Sequence, residues 1–376
     1  MSGKRGGIVA IEPTTGEILA LVTAPSYDPN MLVGRKRSKN SNFLMDPKNP
    51  DKPTYDRALM AQYAPGSPFK MMNALIGLQE NVINSKTNFK CYEGYQYGRR
   101  KNEFMGCHCG IIAKPIYLKT AIARSCNSYF SNTFKRIVEK DNTPSEGLNS
   151  WSEHVKSFGL GNYLGYDLPA GASGRIPTGT FYDGRINYRW NASSIISNAI
   201  GQGDVETTPI QLANFTAAIA NKGYFYTPHI LKQIDKTPIE DPKFTIPKKT
   251  TIDKKHFSPI IEAMHEVFKT GTGKWSQVNG IEICGKTGTV ENFANINGKK
   301  TQLKDHSILI AFAPKKNPKI ALAIFVENGG YGSTIAAPIS SLLIEKYISG
   351  SISKANKNRE QRMLNLSLEK TYSQFN

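Results

Sequence analysis

Apolar positions fall into two kinds of pattern along this chain. Near its start, Ile8-Val-Ala-Ile and Ile18-Leu-Ala-Leu-Val are rich in strand formers and flank the turn-rich Glu12-Pro-Thr-Thr-Gly16, which predicts a β-hairpin over Gly7–Ala24. Near its end, Ile281–Val290, Ser307–Ala313 and Ile320–Glu327 have the same character, with Pro314-Lys-Lys-Asn-Pro318 as a turn between the last two. Between them the period lengthens. Met72, Leu75, Ile76 and Leu78 share one helical face after Phe69, and Leu118–Val138 is helical on either side of Arg124–Ser128. Glu153–Leu160, Ile195–Asn221 (in two pieces around Gly201-Gln-Gly203 and Thr208-Pro209), Pro259–Phe268 and Pro338–Ile348 supply further helices. Strands at both ends with helices between them predict an α+β fold: one antiparallel sheet built from both termini and covered by helices. Residues 27–55, 84–115 and 167–187 read as loops, and everything after Gly350 as a polar, frayed tail.

Composition narrows the class. The chain has 376 residues, 39% hydrophobic and 21% charged, enough for a full core in two or three domains or subdomains. No apolar run approaches the roughly 20 residues of a membrane helix, and no apolar signal region follows Met1. As written, the chain reads as soluble and untargeted, the excised part of something larger. The net charge of +18 asks for an acidic partner, yet no recognition helix, zinc finger or aromatic-basic module supports nucleic acid. An anionic membrane surface or an acidic polymer fits the charge as well, and so does a lysine-biased composition with no partner behind it.

The candidate chemistry starts at Ser67-Pro-Phe-Lys70. Pro68 suits the first helical position, Ser67 then falls at the N-cap, and Lys70 three residues on faces back towards the Ser67 hydroxyl. Ser-x-x-Lys recurs at Ser351/Lys354 and Ser367/Lys370, so the motif alone decides little. Ser125-Cys-Asn127 and Lys286-Thr-Gly-Thr289 follow it in order. Each of these also recurs, in a different setting: Ser38-Lys-Asn40 precedes the nucleophile in a polar loop, and Lys269-Thr-Gly-Thr272 reads as a helix stop. Ser-x-x-Lys, Ser-x-Asn and Lys-Thr-Gly together are the signature of penicillin-binding proteins and serine β-lactamases.

With these motifs, and with Gly7–Ser26, Arg57–Lys70, Gly201-Gln-Gly203 and Ala311-Phe-Ala-Pro314, the chain resembles the penicillin-recognising serine transferases over nearly its whole length. It most resembles the transpeptidase domain of class B penicillin-binding proteins of the elongation type, the penicillin-binding protein 2 group. The resemblance implies a five-stranded antiparallel sheet flanked by helices, plus an all-helical subdomain. The sheet would come from about 1–60 and 270–350, within a transpeptidase domain over 1–350. It implies a peptidoglycan D,D-transpeptidase in which Ser67 attacks a D-Ala-D-Ala stem peptide, Lys70 is the base and Ser125 relays the proton. Asn127, Lys286, Thr287, Gly288 and Thr289 would bind substrate, Lys286 also lowering the pKa of Lys70, and the backbone N–H groups of Ser67 and Thr289 would form the oxyanion hole. β-Lactams would trap the acyl-enzyme. The alternatives are a D,D-carboxypeptidase or β-lactamase of the same fold, or a silent β-lactam-sensing or scaffold module. Glu146-Gly-Leu-Asn149 is one residue short of a class A deacylation motif and reads as a turn, and class D enzymes carry Val where Asn127 stands. Relatives add a membrane anchor and a pedestal, act at the outer (periplasmic) face of the cytoplasmic membrane, and have a membrane glycosyltransferase and scaffold proteins as partners.

Four of the five cysteines, Cys91, Cys107, Cys109 and Cys126, lie within 36 positions. Four thiolates can close a tetrahedral zinc site, with His108 as alternative ligand; a disulfide and buried free thiols are the competing outcomes. The resemblance implies a structural zinc beside the cleft with the middle residue of Ser-x-Asn, here Cys126, as one ligand. No cofactor is expected for the chemistry itself. Cys284 is expected in the core, and the remaining histidines (His154, His229, His256, His265, His306) show no metal or catalytic spacing.

Overall fold

The computed structural model describes residues 1, 3–186, 189–296 and 298–369. Its main sheet has five strands: β1 (Gly6–Ile11), β2 (Ile18–Ala24), β3 (Cys284–Ile296), β4 (Lys299–Ala313) and β5 (Ile320–Val326). They lie in the order β3-β4-β5-β1-β2, so the two ends of the chain meet where β5 pairs with β1, Ile8 opposite Ile324 and Val9 opposite Ala323. Every residue of β1 and β5 is buried, so helices cover both faces of the sheet centre.

The α-helices of six or more residues are α1 (Arg37–Leu44), α2 (Lys70–Gln79), α3 (Leu118–Ala123), α4 (Asn127–Val138), α5 (Pro144–Lys156), α6 (Pro209–Ala220), α7 (Phe257–Lys269), α8 (Ala336–Ser349) and α9 (Lys357–Asn365). α6 is buried along all twelve residues against β1, β4 and β5. It starts where the chain supplies both halves of a capping box: Thr208 Oγ1 accepts from Gln211 N, and Gln211 Oε1 from Thr208 N. α7 packs on β3, and α8 on β4 and β5. In the helical part, Trp151 of α5 is fully buried edge-on against Phe69 and Phe134 and donates its Nε1–H to Asn73 Oδ1 (2.8 Å). Asn73 Nδ2 in turn donates to Ala199 O (2.9 Å), which ties α2 to the 3₁₀ helix Ala192–Ile200.

Four expectations need correction. The loops read over 27–55, 84–115 and 167–187 contain, in turn, α1, short strands at Asn88–Lys90, Gly94–Gln96 and Phe104–Gly106, and the helix Gly179–Asp183. Glu146–Asn149 lies inside α5, capped by Thr143 with Pro144 in its first turn, and is helix rather than turn. The hairpin of β3 and β4 runs past Val290 and starts well before Ser307, as a polar arm in which Asn292 pairs with Leu303 and Ile296 with Lys299. The tail is folded through Glu369: Asn356 Nδ2 donates to Glu345 Oε2 (2.8 Å), Lys4 Nζ to Leu366 O (2.6 Å) and Leu368 N to Gly3 O (2.7 Å), with Met363 and Leu368 buried. Lys370 of the Ser367/Lys370 pair and the last six residues lie outside the described residues.

Candidate active site

Ser67 opens a 3₁₀ turn, Ser67–Phe69, that runs straight into α2. Gly66, at φ 60° and ψ −150°, takes the boundary position expected of Ser67, so Ser67 caps nothing and its hydroxyl is left to the cleft. Distant glycines make this possible. Gly66 N donates to Gly201 O (2.8 Å), and a Cβ on Gly201 would lie 2.3 Å from Gly66 O. A Cβ on Gly288 would lie 2.6 Å from Pro68 Cδ and 2.4 Å from Ile308 Cγ2. Hence only glycine lets the 201 loop and strand β3 approach the Ser67 turn this closely.

Ser125 sits between α3 and α4 in the left-handed region (φ 56°), held there as Cys126 N donates to Ala121 O (2.9 Å). Its Oγ lies 3.0 Å from Ser67 Oγ. Lys70 is fully buried, and its Nζ donates to Ser125 O (2.9 Å), Ser125 Oγ (3.1 Å) and Asn127 Oδ1 (2.5 Å). Lys70 therefore reaches Ser67 through Ser125, where helical spacing had suggested a direct contact. Burial pushes its pKa down to about 8, against an opposing pull from any charge on Cys107, Cys126 and Cys109.

Lys286 differs from expectation. It is fully buried on β3, its Nζ donates to Thr287 O (2.8 Å), and its pKa falls well below that of a free lysine, first through burial and then through the charge of Lys70. Burial is the leading cause of the low pKa of Lys70, and the charges of the two lysines repel one another.

The cleft, about 600 Å³, is lined by Ser67, Ser125, Asn127, Thr287, Gly288 and Thr289 of the expected set. It also gathers residues that sequence reasoning missed: Arg124, Gln202, Thr272, Glu291, Asp305 and Tyr331. Thr272 had a signal, the Lys-Thr-Gly-Thr that starts at Lys269. α7 does stop at Lys269, and the same turn then carries Thr272 Oγ1 to within 2.5 Å of Thr287 Oγ1. Glu146 is not among the lining residues.

Cys91, Cys107, Cys109 and Cys126 are all buried, unbridged, and have their sulfur atoms within 4.8 Å of one another. A tetrahedral zinc with bonds of about 2.3 Å sets its sulfurs about 3.8 Å apart; Cys107 Sγ and Cys126 Sγ are 3.9 Å apart. Contact with the Cys126 thiol and the N–H groups of Cys109 and Asn127 pulls the Cys107 thiol pKa down, while that same contact pushes Cys126 up and burial pushes Cys91 up. His108 is not the alternative ligand: it is exposed and lines the cleft. Cys284 is buried on β3, as expected. Asn127 joins the cluster to the cleft, because its N donates to Cys107 Sγ (3.2 Å) and its Nδ2 to Gly106 O (2.7 Å).

The penicillin binding protein transpeptidase domain matches residues 6–345. The chain belongs to that family. It is 32% identical over 354 residues to the peptidoglycan D,D-transpeptidase MrdA of Acinetobacter baumannii, covering 89% of this chain and 50% of that protein. Pseudomonas aeruginosa PBP2 in complex with WCK 5153 superposes with a TM-score of 0.78 at 31% identity, over 94% of this chain and 74% of that one. Penicillin-binding protein A of Mycobacterium tuberculosis, solved as a ceftriaxone acyl-enzyme, gives 0.74 at 27% identity, over 92% and 74%. This transpeptidase domain spans about half the length of the curated relatives it matches. Among its described residues no helix is long and apolar enough to cross a membrane.

Proposed function

We propose that this domain forms an acyl-enzyme at Ser67 from a D-Ala-D-Ala stem peptide, passes the acyl group to an amine of a neighbouring stem, and is trapped at the first step by β-lactams. The observation that carries the reading is the unbroken line Lys70 Nζ, Ser125 Oγ, Ser67 Oγ, with steps of 3.1 and 3.0 Å. With a pKa of about 8, Lys70 is neutral in roughly one molecule in ten at pH 7, far more than for a free lysine. In that form Ser67 gives its proton to Ser125 and Ser125 gives its own to Nζ as the Ser67 Oγ–carbon bond forms. The same line returns the proton to the departing D-Ala nitrogen as the peptide C–N bond breaks. In the second half an amine attacks the ester, the carbon–Oγ bond breaks, and the amine's proton returns to Ser67. The oxyanion is assigned to the N–H groups of Ser67 and Thr289, each such donor being worth about 2.7–4 kcal/mol.

Transfer to an amine is preferred over hydrolysis because Glu146, whose sequence context is one residue short of a class A deacylation motif, does not line the cleft, and the carboxylates that do, Glu291 and Asp305, stand in no such motif. The test is to mix the protein with a D-Ala-D-Ala donor peptide and a second amine, and to follow D-Ala release and the fate of the acyl group. Amide product supports transpeptidation. Free acid alone indicates a carboxypeptidase, and rapid release of hydrolysed penicillin a β-lactamase. Neither D-Ala release nor acylation would leave a silent module. A place at the periplasmic face of the cytoplasmic membrane, beside a glycosyltransferase and scaffold proteins, is proposed on the strength of relatives solved as part of a peptidoglycan synthase complex and in complex with MreC.

We also propose that Cys91, Cys107, Cys109 and Cys126 hold a structural zinc, supported by four buried sulfurs at mutually compatible spacing. When bound, zinc supplies cross-linking only: the four residues clamp the loop that carries Ser125 and Asn127. One equivalent of metal in the purified protein, lost in Cys126→Ser along with several degrees of thermal stability, is the expected result. Sub-stoichiometric metal unchanged by the substitution would end the idea.

A further inference from the structure

The cleft has a charge pattern that its motifs do not account for. In a chain of net charge +18, Arg124 is the sole lysine or arginine among the residues that line it. Lys70 and Lys286 are both fully buried and committed to other partners, Lys286 to a main-chain carbonyl. Arg124 is exposed, directly precedes Ser125, and among the described residues its guanidinium has neither an ion pair nor a side-chain hydrogen bond. Glu266, the carboxylate that shares its outer side, is already taken by Lys119 (2.9 Å) and Thr270 (2.7 Å). On the inner side the same stretch of wall carries Thr272 and Thr287, whose hydroxyl oxygens sit 2.5 Å apart. A cation that is always charged and two converging hydroxyls make a site for a carboxylate, which accepts two parallel N–H donors from one guanidinium.

The opposite end of the cleft carries the reverse sign. Glu291 lies four residues beyond Thr287, about 13 Å along an extended strand, where β3 bulges between Val290 and Asn292 and faces Asp305 on β4. Asp305 Oδ1 is buried with no hydrogen-bond partner. A peptide acid lying along β3 is thus held in one direction, with its carboxylate at Arg124 and any amine it carries towards Glu291.

We propose that Arg124, with the Thr272 and Thr287 hydroxyls, is the residue that selects donors by their terminal carboxylate, the role that motif reasoning gives to Lys286. This rests on the acyl-transfer reading above and names the donor specificity of that same site. It predicts coupling between Arg124 and one functional group of the substrate.

The experiment compares acylation by a D-Ala-D-Ala donor peptide with acylation by its C-terminal methyl ester, in wild type, Arg124→Gln and Arg124→Lys. The quantity read is the ratio of the two kcat/KM values, so a general loss of activity or of folded protein cancels. The expected result is that Arg124→Gln lowers the acid-to-ester ratio roughly 10- to 100-fold, the worth of a charged hydrogen bond. Arg124→Lys recovers part of it, keeping the charge without the planar fork. A ratio in Arg124→Gln within about twofold of wild type overturns the assignment. So does a loss that Arg124→Lys does not relieve, which would trace it to packing. Wild type acylated by acid and ester alike leaves the acyl-transfer reading standing and removes this one. Wild type acylated by neither removes both.

Discussion

Replacing Gly201 by alanine tests whether the 201 loop positions the nucleophile. Gly201 is at φ 70°, a conformation that costs a residue with a Cβ about 1–2 kcal/mol. The added carbon would also lie 2.3 Å from Gly66 O and 2.6 Å from Phe69 Cβ, on the two sides of Ser67. Carbon and oxygen do not pack closer than about 3 Å, so the Gly66–Ser67 backbone has to retreat by roughly 0.7 Å, and displacements approaching 1 Å can cost about 100-fold in rate. Gly350 supplies the control: its φ is 76° but nothing lies within 4 Å of the position its Cβ would take. Both alanine variants are expected to lose about 1–2 kcal/mol of stability to the backbone, and Gly201→Ala somewhat more. Only Gly201→Ala is expected to lose acylation, roughly 100-fold in the second-order rate with a fluorescent penicillin. Normal acylation in Gly201→Ala, or an equal loss in Gly350→Ala, would refute the argument.

Three further outcomes are expected. The acylation rate should climb with pH, reach half its maximum near 8, where half of Lys70 is neutral, and level off about a unit above, as measured by penicillin labelling from pH 6 to 10. His306 is half-buried, accepts the N–H of Asn328 at Nδ1 (3.0 Å), and has its pKa pushed down to about 4 by its partial burial, with Glu327 pulling the other way. As pH falls from 6.5 the unfolded chain takes a proton that the folded one refuses until about pH 4, so stability drops across that window. At about 1.4 kcal/mol per tenfold step in proton affinity the loss approaches roughly 3 kcal/mol, and His306→Gln should flatten the curve in urea titrations. Truncation after Gly350 removes the buried Met363 and Leu368 and the Asn356–Glu345 hydrogen bond; at about 1.5–3 kcal/mol per buried side chain, the midpoint of thermal unfolding should fall by several degrees.

Much of this was legible in local patterns. The runs Ile8–Ile11 and Ile320–Val326 are apolar on both faces because both faces are covered, and they pair with each other at the sheet centre. Ser67, Ser125 and Lys286 stand in motifs whose order survives folding. What was not legible depends on residues far apart in the chain. Ser67 has every local mark of an N-cap, yet Gly66 assumes that place because Gly201, distant in sequence, holds it by a backbone hydrogen bond. Lys286 reads as a cation that a strand presents to a cleft, and only the fold shows it fully buried with its amine on the Thr287 carbonyl. The tail is polar by composition, but Met363, Leu366 and Leu368 are enough to seat it on the N-terminus. The four cysteines were countable; that His108 turns away from them was not.

The central claim is that Ser67 is the acylated nucleophile. Intact-protein mass spectrometry after incubation with benzylpenicillin, followed by peptide mapping, tests it most directly. A gain of one penicilloyl group, carried by the peptide containing Ser67 and abolished in Ser67→Ala, is the predicted result. Label on another residue, or a gain of mass that persists in Ser67→Ala, would contradict it.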